Sequence, residues 1–431
     1  MVSNNTIILS FFLMIIMITK YLKPNTKKAL LVEPNFPYPR KRAKDYQPIG
    51  LLKISTYLKK QGITTQLMTK DQIIPNYQPD IIFITSIFTY WSQSVQQTTQ
   101  LLRETYPNTP IIIGGVYASL MPEHCQKTCT PDDIITGIIP ETENLKPDYS
   151  LLDTDYQVIH STRGCIRKCT NCGVYKVEPQ WTCKKSIKNE LVKRKILFYD
   201  NNILANTHIE DLLNELIWLK KLEQITTIES QSGFDARILV KKPHLAKMLK
   251  QAGFTNIRIA WDGPYKTGKI IKKAIKLLTD AGYKSNKIQI FMLFNYTLPY
   301  EELEKKRVKC YEWKVVITDC RYVPLNAPTD NYNPRKKTQT PQEYHIHKGW
   351  TDQLIRKFKR NIRKHNICVR YKFQYHTTTL EKNQNKKYDK LTYEEAQKKY
   401  PDAWNPAQYH PPDEIEKTKT NFYGKLQERK K

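Results

Sequence analysis

What constrains this chain most is a repeated switch of hydrophobic period, from short apolar runs to longer stretches with a helical stripe. Residues 29–32 (ALLV) form an apolar run that ends at Glu33-Pro34-Asn35. Residues 49–61 follow with Leu51, Leu52, Ile54 and Leu58 at helical spacing, until Gly62 stops them. Further strand-like runs lie at 64–68, 81–85, 111–113 and 133–136, with a helix expected over 95–106. Runs that are apolar at nearly every position suit strands buried on both faces. Joined by helices, such strands pair in parallel, because a parallel connection must cross over the sheet.

After a polar, proline-bearing connector at 140–155 the alternation resumes. Residues 158–159 lead into a cysteine-bearing loop, and strands are expected at 196–199, 227–230, 257–260, 288–294 and 315–317. Helical stretches at 208–222, 243–252, 267–281 and 301–313 separate them. Six βα units in succession predict a partial (β/α)6 barrel of TIM type, with chemistry at the C-terminal strand ends. The expected fold class is α/β. A flavodoxin- or Rossmann-like parallel sheet covers 27–150, the partial barrel covers 151–330, and a polar C-terminal extension, helical and irregular, covers 331–431. Within that extension Leu354, Ile355, Phe358 and Ile362 mark an amphipathic helix over 351–364.

Composition matters at three points. Residues 7–18 (IILSFFLMIIMI) are strongly apolar but fall short of the ~20 residues a membrane span needs. No charge precedes them, so they do not read as a secretory signal. Residues 1–26 are left as an apolar tail, a weak membrane anchor making contact through 7–18, or an upstream start. The 70 Lys and Arg against 41 Asp and Glu give a net charge of +29, which suits polyanionic partners such as nucleic acid. Spread along the whole chain, the same charge is equally a solvated basic surface. Nine cysteines, at 125, 129, 165, 169, 172, 183, 310, 320 and 368, are odd in number and form no disulfide framework. A reducing cytoplasm is the expected setting, with membrane association left open through residues 7–18.

The chemistry concentrates at Ser161-Thr162-Arg163-Gly164-Cys165-Ile166-Arg167-Lys168-Cys169-Thr170-Asn171-Cys172-Gly173. Three closely spaced thiolates can ligate three corners of a four-iron cluster and leave the fourth iron open to a substrate. A structural zinc site is the alternative, with His160 or Cys183 as fourth ligand. The C-x-x-x-C-x-x-C spacing, its S-T-R-G lead-in and the βα units behind it resemble the radical S-adenosylmethionine (SAM) superfamily. That resemblance implies a [4Fe-4S] cluster on Cys165, Cys169 and Cys172. It further implies SAM chelated to the open iron and cleaved by one electron to a 5′-deoxyadenosyl radical, and an external reductant of flavodoxin or ferredoxin type. Two departures stand out. Asn171 occupies a position usually aromatic in that family, and Tyr199-Asp200-Asn201-Asn202 replaces its glycine-rich motif after the second strand.

Polar residues at successive expected strand ends are the candidates for binding SAM: Asp200 and Asn201, Glu229 and Gln231, Asp262, Asn295 and Arg321. Asp200, Gln231 and Asp262 are the preferred three, and no catalytic residue is assigned. A Rossmann-like domain ahead of the barrel resembles the cobalamin-binding class of the superfamily. By that resemblance Gly114 and Gly115 let a large planar ligand approach the backbone, while Ser86 bonds its nucleotide tail. The D-x-H-x-x-G motif for a lower axial histidine is absent, since residues 34–48 contain no histidine. Bound cobalamin would then support methyl transfer. Two rivals stay open: a tRNA methylthiotransferase-like enzyme, for which only Cys125 and Cys129 could serve a second cluster, and a non-catalytic, metal-stabilised nucleic-acid-binding protein. The sequence names no substrate, small or macromolecular.

Overall fold

The structure is a computed structural model that describes residues 17–38, 46–383 and 391–413. The chain divides into two compact units. Unit 1 holds the chain up to Cys183 with Ile187–Ile196 and Pro324–Asp330; unit 2 holds Lys184–Ser186, Leu197–Val323 and the chain from Asn331 onward. Residues 151–183, expected with the barrel, therefore fall in unit 1, and the expected C-terminal extension falls in unit 2.

Unit 1 is built on five parallel strands, β1 (Lys28–Glu33), β2 (Thr64–Thr69), β3 (Ile81–Ser86), β4 (Ile111–Gly115) and β5 (Asp133–Ile134), in the order β2-β1-β3-β4-β5. This is the flavodoxin-like order, and its reversal point lies between β1 and β3. Strand alternation divides the core between the two faces. Leu30, Val32, Ile82, Ile84, Ile111 and Ile113 pack on one side with Val95 and Leu102 of α2 (Ser92–Thr105). Ala29, Leu31, Ile81, Phe83 and Ile112 pack on the other with Leu51, Ile54 and Leu58 of α1 (Ile49–Lys60).

The second face also takes Ile18, which is fully buried. Folding thus begins ahead of Lys27, where the sequence placed its start. The Glu141 carboxylate accepts the Met17 and Ile18 N–H groups, and Asp133 accepts the Tyr21 hydroxyl at 2.9 Å. Of the apolar stretch 7–18, residues 7–16 lie outside the described residues. Ile18 is committed to a protein core, and the expected membrane contact gains no support. No helix among the described residues is long and apolar enough to cross a membrane.

Unit 2 repeats the βα pattern. It contains β10 (Thr227–Ser230), β11 (Arg258–Ala260), β12 (Gln289–Phe294) and β13 (Val316–Arg321), with the last two residues of β9 (Lys195–Phe198). The strands β11-β12-β13 pair in parallel, and parallel bridges Ile228↔Phe254 and Phe234↔Ile259 continue the arc towards β10. The outward layer is α7 (Ile209–Lys221), α8 (Ala236–Lys241), α9 (Leu245–Ala252), α10 (Gly268–Asp280) and α11 (Tyr300–Glu312). Each of the longer helices buries one stripe, as Ile271, Ala274, Ile275 and Leu278 do on α10.

The arc stays open at β13, as a partial barrel should. There α12 (Asp352–Tyr371) covers the strand: Asn366 accepts the Ile317 N–H at 2.8 Å and donates to its carbonyl at 2.7 Å, replacing a missing neighbour strand. This helix runs past the predicted end at 364 because its buried stripe continues through His365, Cys368 and Val369. A later segment, Trp404 to His410, is held by a fully buried ion pair on α11. Arg307 binds Glu304, donates to the Pro406 carbonyl at 2.7 Å and lies over the Trp404 ring.

Candidate cofactor sites

In unit 1 the site starts where β4 ends. Gly115 has φ +99°, and a Cβ there would run into the Ser86 carbonyl and lie 2.8 Å from its nitrogen. Only glycine lets β4 turn so closely past β3. Gly115→Ala is expected to cost roughly 1–3 kcal/mol of stability, read as a lower urea midpoint at unchanged slope. Ser86 is buried and already committed: its hydroxyl donates to the Gly114 carbonyl at 2.7 Å and accepts the Ala118 N–H at 3.1 Å. It shapes the turn, so the expected bond to a nucleotide tail has no hydroxyl proton left. Gly114 sits beside it at the strand end, half-buried.

The sequence reading missed what gathers at the β1/β3 reversal point. Phe36 stacks on Trp91 at 5.5 Å between ring centroids, while Tyr38 and Phe88 meet the same indole edge-on. The Tyr38 hydroxyl donates to Glu33 at 2.9 Å, and burial pushes the Glu33 carboxyl above its ordinary range. In open α/β sheets this crevice at the carboxyl ends is where ligands bind. The available signal was aromatic density just after two strands, in F-P-Y and F-T-Y-W.

The cysteine loop also belongs to unit 1. It leaves β6 (Tyr156–Ile159) and is closed by β7 (Thr162–Arg163) paired antiparallel with β8 (Thr182–Cys183). Arg163 fixes its root, binding both oxygens of Glu143 at 2.8 and 2.9 Å and Glu178 at 3.0 Å. Burial opposes the guanidinium charge, but those two carboxylates outweigh it and hold its pKa above the usual value. Gly164, at φ +72°, packs where a Cβ would strike the Gln180 carbonyl, and its N–H reaches Glu178 at 2.7 Å. Beyond the cysteines, Gly173 lies against Leu120 of α3 (Val116–Leu120), the helix that starts at the Gly115 turn. A Cβ on Gly173 would sit 3.3 Å from the leucine methyls. The end of the cysteine loop therefore packs against the far end of the short helix that follows the glycine turn.

Cys165 and Cys172 are half-buried, Cys169 is exposed, and none is in a disulfide. The Arg167 N–H points at the Cys165 sulfur from 3.4 Å, and the Cys172 N–H closes a turn on the Cys169 carbonyl. Among the described residues, no three Cys, His, Asp or Glu side chains are drawn together into a finished metal cage. The donor set still fits an iron–sulfur cluster: three accessible thiols on one short loop, the soft ligands such clusters take. Cys183 instead lies in the β7–β8 ladder opposite Thr162.

In unit 2 the register sorts the candidates by face. Arg258 aligns with Gln289, Ala260 with Phe291 and Thr318, and Leu293 with Cys320. Ile259, Ile290 and Met292 on the opposite face are buried. The first face is less buried and carries polar side chains among Phe291 and Leu293. Glu229 pairs with Arg258 at 3.2 Å, Thr318 donates to Gln289 at 3.0 Å, and Gln231 is exposed at the end of β10. Asp262 lies two residues past β11, solvent-accessible yet closely surrounded by protein, and that surrounding raises its pKa. Lys306 steadies the turn from below, donating to the Trp261 and Gly263 carbonyls at 2.6 and 3.0 Å; burial lowers its pKa to about 8.

Two expected ligands are employed otherwise. Asn295 is fully buried; it donates to the His345 carbonyl at 2.9 Å and accepts the His347 N–H at 2.9 Å, so its amide anchors a loop. Arg321 aligns with Phe294 on the other face and lies over the rings of Tyr332 and Tyr344. After β9, Asp200 is buried and Asn201 half-buried. The neighbours Asn202 and Ser230, outside the predicted set, are buried with Oδ1 and Oγ lacking any partner. Unsatisfied buried oxygens are costly, and at strand ends they suit a bound ligand's donors.

Comparisons agree with this geometry. Residues 39–145 match the B12 binding domain family. The radical SAM methyltransferase TsrM from Kitasatospora setae, solved with cobalamin and a [4Fe-4S] cluster bound, superposes with a TM-score of 0.54. It is 12% identical and matches over 70% of this chain and 74% of its own. A cobalamin-binding protein from Desulfitobacterium hafniense DCB-2 aligns over 26% of this chain and 54% of its own, at 19% identity and a TM-score of 0.21, too low to weigh. No curated protein matches the sequence. The chain thus carries a segment that matches the B12 binding domain family, and its fold is similar to that of a radical SAM methyltransferase solved with cobalamin and a [4Fe-4S] cluster.

Proposed function

We propose that this chain is a cobalamin-dependent radical SAM enzyme that transfers a methyl group. Cys165, Cys169 and Cys172 hold the cluster, the Gly114-Gly115 turn and the aromatic crevice at Phe36 and Trp91 receive the corrinoid, and the strand-end face carrying Asp262 and Gln231 receives SAM. Such a cluster, when bound, supplies the single electron that cleaves the SAM sulfonium reductively. An external donor of flavodoxin or ferredoxin type delivers that electron. The residues themselves do simpler work. Arg163 and its two carboxylates hold the loop root rigid, and the aromatic crevice gives a flat apolar seat.

The observation that carries this reading is the packing of Gly173, at the end of the cysteine loop, against Leu120 of the short helix that follows the glycine turn, inside one unit. It supports two cofactors working side by side. The test is anaerobic reconstitution of the full chain with iron, sulfide and hydroxocobalamin, followed by reductant and SAM. Retention of about one corrinoid per chain through gel filtration, with SAM consumed, is expected. A chain that keeps its cluster, ignores the corrinoid and leaves SAM intact has another function.

A further inference from the structure

A cavity lies in unit 2 at the opposite end of the strands from Asp262. It has a volume of about 770 Å³ and is lined by Lys284, Ser285, Asn286 and Lys287 ahead of β12, by Tyr311 and Lys314 at the end of α11, and by Lys372 and its neighbours past α12. That volume is the size of a small-molecule site. No acidic residue lines it, and all four lysines are exposed. Among the described residues none of the four is paired with a carboxylate.

Helix ends give the ordinary reason for lysines here, since the C-termini of α11 and α12 carry negative partial charge. The magnitudes do not balance. Two helix ends supply roughly −1 charge together, against four ammonium groups. About three positive charges are left around one concavity, whose walls focus the field on whatever enters. Ser285, Asn286 and Gln374 add neutral hydrogen-bonding groups at the rim.

We propose that this cavity is an anion site for an oligophosphate of nucleoside di- or triphosphate size, separate from the cofactor sites and independent of their assignment. The phosphates would be held by Lys284, Lys287, Lys314 and Lys372.

Calorimetric titration of the full chain in 150 mM salt tests it, with inorganic pyrophosphate, ADP and orthophosphate as probes. Pyrophosphate is expected to bind at least tenfold more tightly than orthophosphate, and ADP to match or exceed pyrophosphate if a base is also received. Lys284→Gln with Lys287→Gln is expected to weaken pyrophosphate at least tenfold. Lys247→Gln with Lys272→Gln, exposed lysines elsewhere in the unit, should leave it unchanged. Both positions in the first pair are solvent-exposed, and circular dichroism melts confirm that each variant folds. Equal losses in the two pairs would reduce the effect to net charge. No saturable binding, or binding to a short RNA with pyrophosphate unable to compete, would overturn the proposal.

Discussion

Cys165→Ala is expected to abolish SAM consumption, by at least roughly a thousandfold or about 4 kcal/mol in the barrier, and to cut bound iron with it. The reasoning is geometric. Cys165 follows Gly164, whose N–H is held by the Glu178 carboxylate at 2.7 Å, so it springs from a fixed stretch of backbone. Removing it leaves two thiols, at 169 and 172, too few to hold a four-iron cluster with one corner open. Cys183→Ala is the control. Cys183 sits in the β8 ladder, and its loss should leave iron binding and SAM consumption intact. A zinc site using Cys183 as fourth ligand reverses that outcome, and metal analysis of the two variants separates the cases.

The second large effect concerns stability. Arg307→Ala is expected to destabilise unit 2 by roughly 3–5 kcal/mol, since it leaves one charge of a buried pair uncompensated. Arg307 and Glu304 are both fully buried, and Glu304 also takes the His410 N–H at 3.1 Å. The same guanidinium holds the carbonyls of Pro406 and Gln408, so its loss releases the C-terminal segment as well. Replacing both charges, Arg307→Met with Glu304→Leu, should recover much of the loss, because the desolvated carboxylate goes too. Urea titration of each variant measures this; a single-variant cost under about 1 kcal/mol would show the pair to be dispensable.

Much of the architecture was legible because it rests on local pattern. The apolar runs at 29–32, 81–85 and 111–113 became β1, β3 and β4, since a strand buried on both faces leaves no room for polar alternation. The helix at 351–364 was underestimated because His365 is polar in sequence, yet it is fully buried with Nε2 against the Val315 carbonyl at 2.9 Å. The site was legible only where spacing encodes chemistry. The cysteine triple is read from eight residues of chain. Strand-end ligands depend on which face a side chain takes, and register decides that: one position separates Cys320, on the face of Arg258 and Gln289, from Arg321, turned to Tyr332 and Tyr344. Asn295 could not be read as a loop anchor, because the loop that engages its amide lies 50 residues away. The aromatic crevice was missed because Phe36 and Trp91 meet only once β1 and β3 are neighbours.

The decisive measurement is electron paramagnetic resonance of the full chain, reconstituted without oxygen and chemically reduced, before and after SAM is added. A free iron corner predicts a reduced four-iron signal whose g-values move on binding SAM. A spectrum that SAM leaves untouched, or protein loaded with zinc and silent, contradicts the assignment of those three thiols.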